Sequence, residues 1–196
     1  MPTIFTHAVA ASAIGSLYLH APGSARTGRR VLPRGFWPLT VLCAILPDAD
    51  VVGFDLGLEY GHVLGHRGIS HSLIFAAAVG ALVAVALGRG AHRQSRLALF
   101  VYFALVTASH GILDAFTDEG LGTAFFAPFL NERYFFPWRP LEVSPIGGHG
   151  FFTAREVRGG LRWIEVLWSE IRWVWLPAAA VAVIASWRLK GGRATG

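Results

Sequence analysis

The chain has 196 residues, of which 54% are hydrophobic and only 15% charged, and its mean hydropathy is +0.49. A soluble domain carries roughly 25% charge, so an ordinary soluble globule is excluded, and much of the apolar surface is expected to face lipid. The net charge of +5 comes from 17 basic against 12 acidic residues; the arginines sit between apolar runs, which points to orientation in a membrane and not to a nucleic-acid partner.

Five segments are apolar enough to be expected as spans of a polytopic, all-α membrane helix bundle forming a single domain over residues 1–196. A span needs about 20 mostly apolar residues. The first runs from about Ile4 to His20 and is rich in small residues, from Ala10 to Ser16, which favour close helix packing. No basic stretch precedes it, so it reads as a retained helix and not a cleaved signal peptide. The second runs from about Phe36 to Phe54, with Pro47, Asp48 and Asp50 near its end. Cys43 lies inside it and reads as a small buried hydrophobe; as the one cysteine it has no internal disulfide partner. The third runs from about His71 to Leu87, the fourth from about Leu97 to Phe116, and the fifth from about Trp173 to Trp187.

Basic connections alternate with a poor one. Arg26, Arg29, Arg30 and Arg34 follow the first helix, only Arg67 the second, and Arg89, Arg93 and Arg96 the third; Arg188, Lys190 and Arg193 follow the fifth. The positive-inside rule then puts the N-terminus outside and the C-terminus in the cytoplasm of a bacterial-type inner membrane. The fourth connection, residues 117–172, is long and extracytoplasmic in this reading. Its first half is aromatic and proline-rich. In its second half Val157, Leu161, Ile164, Trp168, Ile171 and Trp175 recur at helical spacing, an amphipathic pattern suited either to the membrane interface or to packing on the bundle.

The same topology brings imidazoles and carboxylates to one face of the membrane. His7 opens helix one, Asp48 and Asp50 close helix two, His66 and His71 open helix three, and His110 and Asp114 close helix four. His110 and Asp114 are four apart, hence on one helix face. The proline beside Asp48 and Asp50 disturbs the helix, so that both carboxylates can turn toward one site. Mixed imidazole and carboxylate donors suit zinc, and also manganese or iron. Seven such residues exceed one tetrahedral site, so two or three divalent ions are expected. Arg67 is the nearest cation able to grip a phosphate; its alternative is a plain topology arginine. His20, His62 and His92 read as packing histidines, Asp118 and Glu119 as loop charges, and His149 either as a ligand or as a loop tip.

Four elements carry a family resemblance: Thr6-His7; Leu46-Pro47-Asp48-Ala49-Asp50; His66-Arg67-Gly68-Ile69-Ser70-His71-Ser72; and His110-Gly111-Ile112-Leu113-Asp114 through Thr117 and Gly120. They resemble the YdjM-like membrane-bound metal-dependent hydrolases, as do Pro128-Phe129 and Arg133-Tyr134 in the aromatic loop. The likeness covers most of the chain up to about Ser144. That family is distantly similar to zinc-dependent phospholipases C and fungal single-strand zinc nucleases, helical enzymes with three clustered zinc ions. The resemblance implies His7, Asp48, His71, His110 and Asp114 as ligands, with Asp50 and His66 as ligands or their supports. The later His and Glu of the soluble enzymes have no clear counterpart here beyond His149 and Glu142, which puts a third metal in question.

The function these observations suggest is hydrolysis of a lipid phosphoester at the outer face, with Asp48 or Asp50 as a bridging ligand or general base. The rival is a metal transporter or metal-binding membrane protein, since intramembrane His and Asp also build ion paths. No acidic residue falls in the first or third connection, which disfavours a through-path. A His-Glu-x-x-His protease motif is absent.

Overall fold

The computed structural model describes residues 1–20, 35–88, 93–144 and 161–191. Helix α1 covers Ile4–His20, α2 Phe36–Ile45, α3 Val52–Asp55, α4 Leu73–Leu87, α5 Arg93–Ala115, α6 Leu161–Glu170 and α7 Leu176–Gly191. No strand forms among the described residues; two isolated bridges, Thr117 with Leu141 and Thr123 with Tyr134, tie the loop that follows α5. The basic first connection, His92, His149, Val157 and Arg158 lie outside the described residues.

Three stretches are long and apolar enough to cross a membrane: Phe36–Asp55, Ser95–Ala115 and Trp163–Trp187. The other two expected spans are shorter apolar helices, Ile4–Leu19 and Leu73–Leu87. At 1.5 Å per residue a 15-residue helix reaches only about 22 Å, less than the roughly 30 Å hydrocarbon core. The third helix is short because its expected first residue, His71, belongs to a separate 3₁₀ turn, Ile69–His71. Ser72 is extended there, and its hydroxyl accepts the Phe75 N–H at 3.1 Å, which starts α4.

The second span changes geometry at Pro47. Proline has no N–H to give the preceding turn, so α2 stops at Ile45 and a 3₁₀ turn, Leu46–Val51, carries both aspartates before α3 begins. The last span does the opposite. Residues from Leu161 to Gly191 form one continuous rod through a π-helical turn, Ile171–Trp175. Ile164 is 64% exposed and Trp168 62%, so the aromatic stripe of α6 faces outward, while Val166 and Glu170 face the bundle.

The core lies where α1, α2, α4 and α5 meet, built from Ala11, Phe36, Cys43, Val79, Val83, Leu99, Phe103 and Val106. Tyr102 and Thr40 share a buried 2.7 Å hydrogen bond within it. Helices α4 and α5 touch backbone to backbone at Gly80: a Cβ there would lie 2.7 Å from the Phe100 carbonyl oxygen and 2.8 Å from the Ala104 nitrogen. Gly80→Ala is therefore expected to part the two helices at a cost of about 1–3 kcal/mol, read as a lower midpoint on titrating the detergent-solubilised protein with a denaturing detergent. This antiparallel arrangement leaves the start of α1, the end of α2, the start of α4 and the end of α5 at one end of the bundle.

Candidate metal centre

The end of the segment between α3 and α4 is folded so tightly that two of its glycines, Gly65 and Gly68, have no room for a side chain. A Cβ on Gly65 would sit 2.2 Å from the Glu59 carbonyl oxygen, and one on Gly68 2.2 Å from that of Val63. Between them Arg67 takes the left-handed conformation, φ 60, which strains a residue with a Cβ. The surroundings over-determine it. Its N–H donates to Asp50 Oδ2 at 3.2 Å, and its carbonyl accepts from Ala124 at 3.0 Å. Arg133, from the loop after α5, clamps the same segment by donating to the carbonyls of Tyr60, His62 and His66.

Four helix ends then converge. His71 Nε2, His110 Nε2, Asp48 Oδ1 and Asp114 Oδ2 form four pairs: His110 to Asp48 at 3.1 Å, His71 to Asp114 at 3.3 Å, His71 to Asp48 at 3.7 Å and His110 to Asp114 at 3.9 Å. Donor atoms 2.0–2.1 Å from a tetrahedral zinc stand about 3.3–3.4 Å apart, so these separations bracket the edges of such a site. Asp48, His71, His110 and Asp114 constitute one group able to hold a metal ion, and Asp50, His66 and His71 another. The His110 Nδ1–H donates to the Ala44 carbonyl at 2.7 Å, which leaves Nε2 as a bare lone pair facing a carboxylate. Two acceptors 3.1 Å apart repel unless a proton or a cation lies between them.

Buried atoms without a hydrogen-bond partner gather at the same place: His7 Nδ1 and Nε2, Asp48 Oδ2, His71 Nε2, and both oxygens of Asp114. Buried polar groups are ordinarily paired, so such a concentration, with the Arg67 Nε at its edge, is an arrangement that a bound cation would satisfy. His71 lies outside the spans. Burial opposes its charged form, but bonds to Asp114, Asp48 and Asp50 outweigh that and hold its pKa well above the usual histidine range. The field that would attract a metal thus attracts a proton in its absence.

Asp50 is arranged differently. His66 Nδ1 donates to its Oδ1 at 2.7 Å, while its Oδ2 accepts from Ser70 Oγ and from the Arg67 N–H, with His71 Nδ1 at 3.2 Å. Both oxygens are occupied, and the His66 contact is shorter than two ligands of one ion would allow. In this arrangement Asp50, expected as a ligand, a ligand's support or a general base, holds His71 and His66 in place. Burial pushes His66 below the ordinary histidine pKa, with Asp50 only partly opposing. His66 also lines a small cavity, with about 20 Å³ open to water, together with Tyr60, Arg67 and Gly120; that is room for about one water molecule.

Arg67, expected either to grip a phosphate or to be a plain topology arginine, is enclosed in the site. Its side chain is 1% exposed and lies 3.0 Å from Asp114 Oδ2 through Nε, while Nη1 donates to the Glu119 carbonyl and Nη2 to Thr117 Oγ1. With its whole guanidinium engaged it steadies Asp114, and is not a free grip for a phosphate. His7 stacks on His110, centroids 3.7 Å apart, with Nε2 3.8 Å from Asp114 Oδ1. It adjoins the four-residue set without entering it. His62 accepts from the Leu64 N–H at the surface, and Asp118 Oδ1 accepts from Val143, so both serve the loops.

Sequence reasoning gave Ser70 no role of its own and did not single out Glu170. Ser70 Oγ bonds both Asp50 and His71. Glu170 is fully buried and accepts from Thr3 and Thr6. The available signal was an acidic residue inside the apolar run Trp163–Trp187, an expensive placement that asks for partners.

Comparison with known proteins agrees with this architecture. Residues 1–194 match the family model described as YdjM inner membrane protein. The chain is 34% identical over 188 residues to the inner membrane protein YbcI of Escherichia coli (strain K12), covering 96% of this chain and 99% of that one. No solved structure matches. With nearly its full length matched and its helix-end histidines and aspartates drawn to one place, the chain belongs to the YdjM family of inner membrane proteins.

Proposed function

We propose that the protein is a membrane-bound, metal-dependent hydrolase that cleaves a phosphoester of a lipid-type substrate at the outer face of the membrane. The observation that carries this reading is the set of four donor atoms, His71 Nε2, His110 Nε2, Asp48 Oδ1 and Asp114 Oδ2, at separations close to the edges of a tetrahedral site. These four residues would hold a zinc-type divalent cation, with His7 beside them and Asp50 and Arg67 fixing their positions. The chemistry such a cation supplies when bound is polarisation of a phosphoryl oxygen and activation of water near neutral pH. Asp48 has the most exposed side chain of the set, at 11%, and its buried Oδ2 has no hydrogen-bond partner, which supports a role for it in taking a proton from water. Exposed Phe126, Phe129 and Trp138 in the neighbouring loop suit contact with lipid tails. A distant likeness to zinc phospholipases C and zinc nucleases, implied by the family resemblance, is part of this proposal.

The outward orientation is supported by the positive-inside count of the connections along the sequence. The alternative, a metal-binding protein without turnover, is favoured by one observation: His7, His71, His110 and Asp114 are almost wholly buried. Elemental analysis of the purified protein, followed by a screen of lipid phosphoesters with and without chelator, separates the readings. Hydrolysis that chelator stops and zinc restores supports the enzyme; bound metal without turnover supports the alternative; no bound metal ends both. Asp50→Asn, which keeps all four donor residues, is expected to weaken zinc binding by about 10–100-fold, measured by competition with a chromophoric chelator.

A further inference from the structure

We propose that Glu170 is a positioning residue for the metal centre, acting through the first turn of α1 on His7; this rests on the metal-site reading above. Glu170 lies 167 residues from Thr3 in sequence, is fully buried, and forms no ion pair among the described residues. Its carboxylate accepts the Thr3 N–H on Oε1, and on Oε2 the hydroxyls of Thr3 at 2.6 Å and Thr6 at 2.8 Å. The Thr3 carbonyl in turn accepts the N–H groups of Thr6 at 2.9 Å and His7 at 3.4 Å. One carboxylate therefore fixes the backbone from which His7 projects, at a helix N-terminus, where negative charge is favoured.

The π turn makes this possible. Trp175 Nε1 donates to Thr6 Oγ1 at 2.6 Å, so Glu170 and Trp175, five residues apart, must both face α1. In an α-helix such positions diverge by about 140°. A π turn, with its i to i+5 bonding, returns them to nearly the same face, and the π-helical residues are Ile171–Trp175. The inserted turn thus supplies two groups to the threonines that precede His7. π insertions are frequently found at functional sites.

Glutamine cannot replace Glu170 without conflict. An amide NH₂ in place of Oε1 would meet the fixed Thr3 N–H donor, and one in place of Oε2 would take away the acceptor shared by the Thr3 and Thr6 hydroxyls.

The test uses the full chain in detergent and zinc alone as the probe. Glu170→Gln is expected to keep its helical circular dichroism and to bind zinc about tenfold more weakly. In a His7→Ala background the same substitution should cause no further loss, because its effect travels through His7. Equal losses in both backgrounds, or no loss in either, overturn the proposal. Nitrogen-15 spectra of histidine-labelled, metal-free protein give a readout that needs no metal: Glu170→Gln should displace the His7 ring resonances and leave those of His66 unmoved. If the native protein binds no zinc, the metal reading fails, while the His7 displacement still decides whether Glu170 positions it. If Glu170→Gln does not fold, Thr6→Val must show the same His7-dependent pattern at smaller amplitude, and its absence rejects the proposal.

Discussion

His110→Ala is expected to lower zinc affinity by more than about 100-fold, beyond the 10–100-fold typical of removing a residue that merely supports a ligand. The expectation comes from the position of Nε2. It lies 3.1 Å from Asp48 Oδ1 and 3.9 Å from Asp114 Oδ2, with its tautomer fixed by the Ala44 carbonyl. Alanine removes one vertex of the four-atom set and also the ring on which His7 stacks. His71→Ala removes another vertex and one contact each of Asp50 and Ser70. Loss of metal and of any hydrolytic activity should coincide in both variants. A His110→Ala protein that retained zinc at native affinity would show that the metal sits elsewhere. The contrast with Asp50→Asn is informative, because that change touches only the aim of the histidines.

Arg67→Met should be among the most destabilising single substitutions in the chain, by about 3–5 kcal/mol in the metal-free protein, the cost typical of removing one member of a buried ion pair. Arg67 spans Asp114, Thr117 and the Glu119 carbonyl at once. Removing it leaves the fully buried Asp114 carboxylate without its nearest fixed positive charge. Lysine would not repair the loss, since a single ammonium cannot reach three acceptors held in the fork geometry of a guanidinium. Two companion measurements identify the cause. In an Asp114→Asn background the cost of Arg67→Met should shrink, because the stranded charge is gone. Saturating zinc should reduce it as well, because a bound cation also neutralises Asp114. Reversible unfolding by denaturing detergent, followed by tryptophan fluorescence, reads all three; an equal cost in every case would show that Arg67 acts by packing alone.

Much of the architecture was legible because it is written locally. Apolar runs punctuated by Pro47, Ser72 and the glycines of Gly65-His66-Arg67-Gly68 announce helices and their ends without reference to any distant residue. The location of His7, Asp48, Asp50, His71, His110 and Asp114 at one end follows from helix order alone, since successive spans run antiparallel. Span length was less legible. A window of apolar residues does not show that His71 would be taken into a 3₁₀ turn, or that the last helix would run unbroken through a π turn from the amphipathic stretch.

The sequence by itself determined a helical membrane bundle with imidazoles and carboxylates at one end, because hydrophobic periodicity and helix breakers act between near neighbours. Only the tertiary structure separated the parts played by those residues. Asp48 and Asp50 stand two apart on a 3₁₀ turn of three residues per turn, so their side chains diverge by about 120°, one toward His71 and His110 and the other toward His66 and Ser70. Arg67 became a buried strut, and Glu170 a partner of Thr3 and Thr6, through contacts that close only when the last helix packs against the first. Such contacts depend on which helix faces meet, and that is fixed by the packing of the whole bundle.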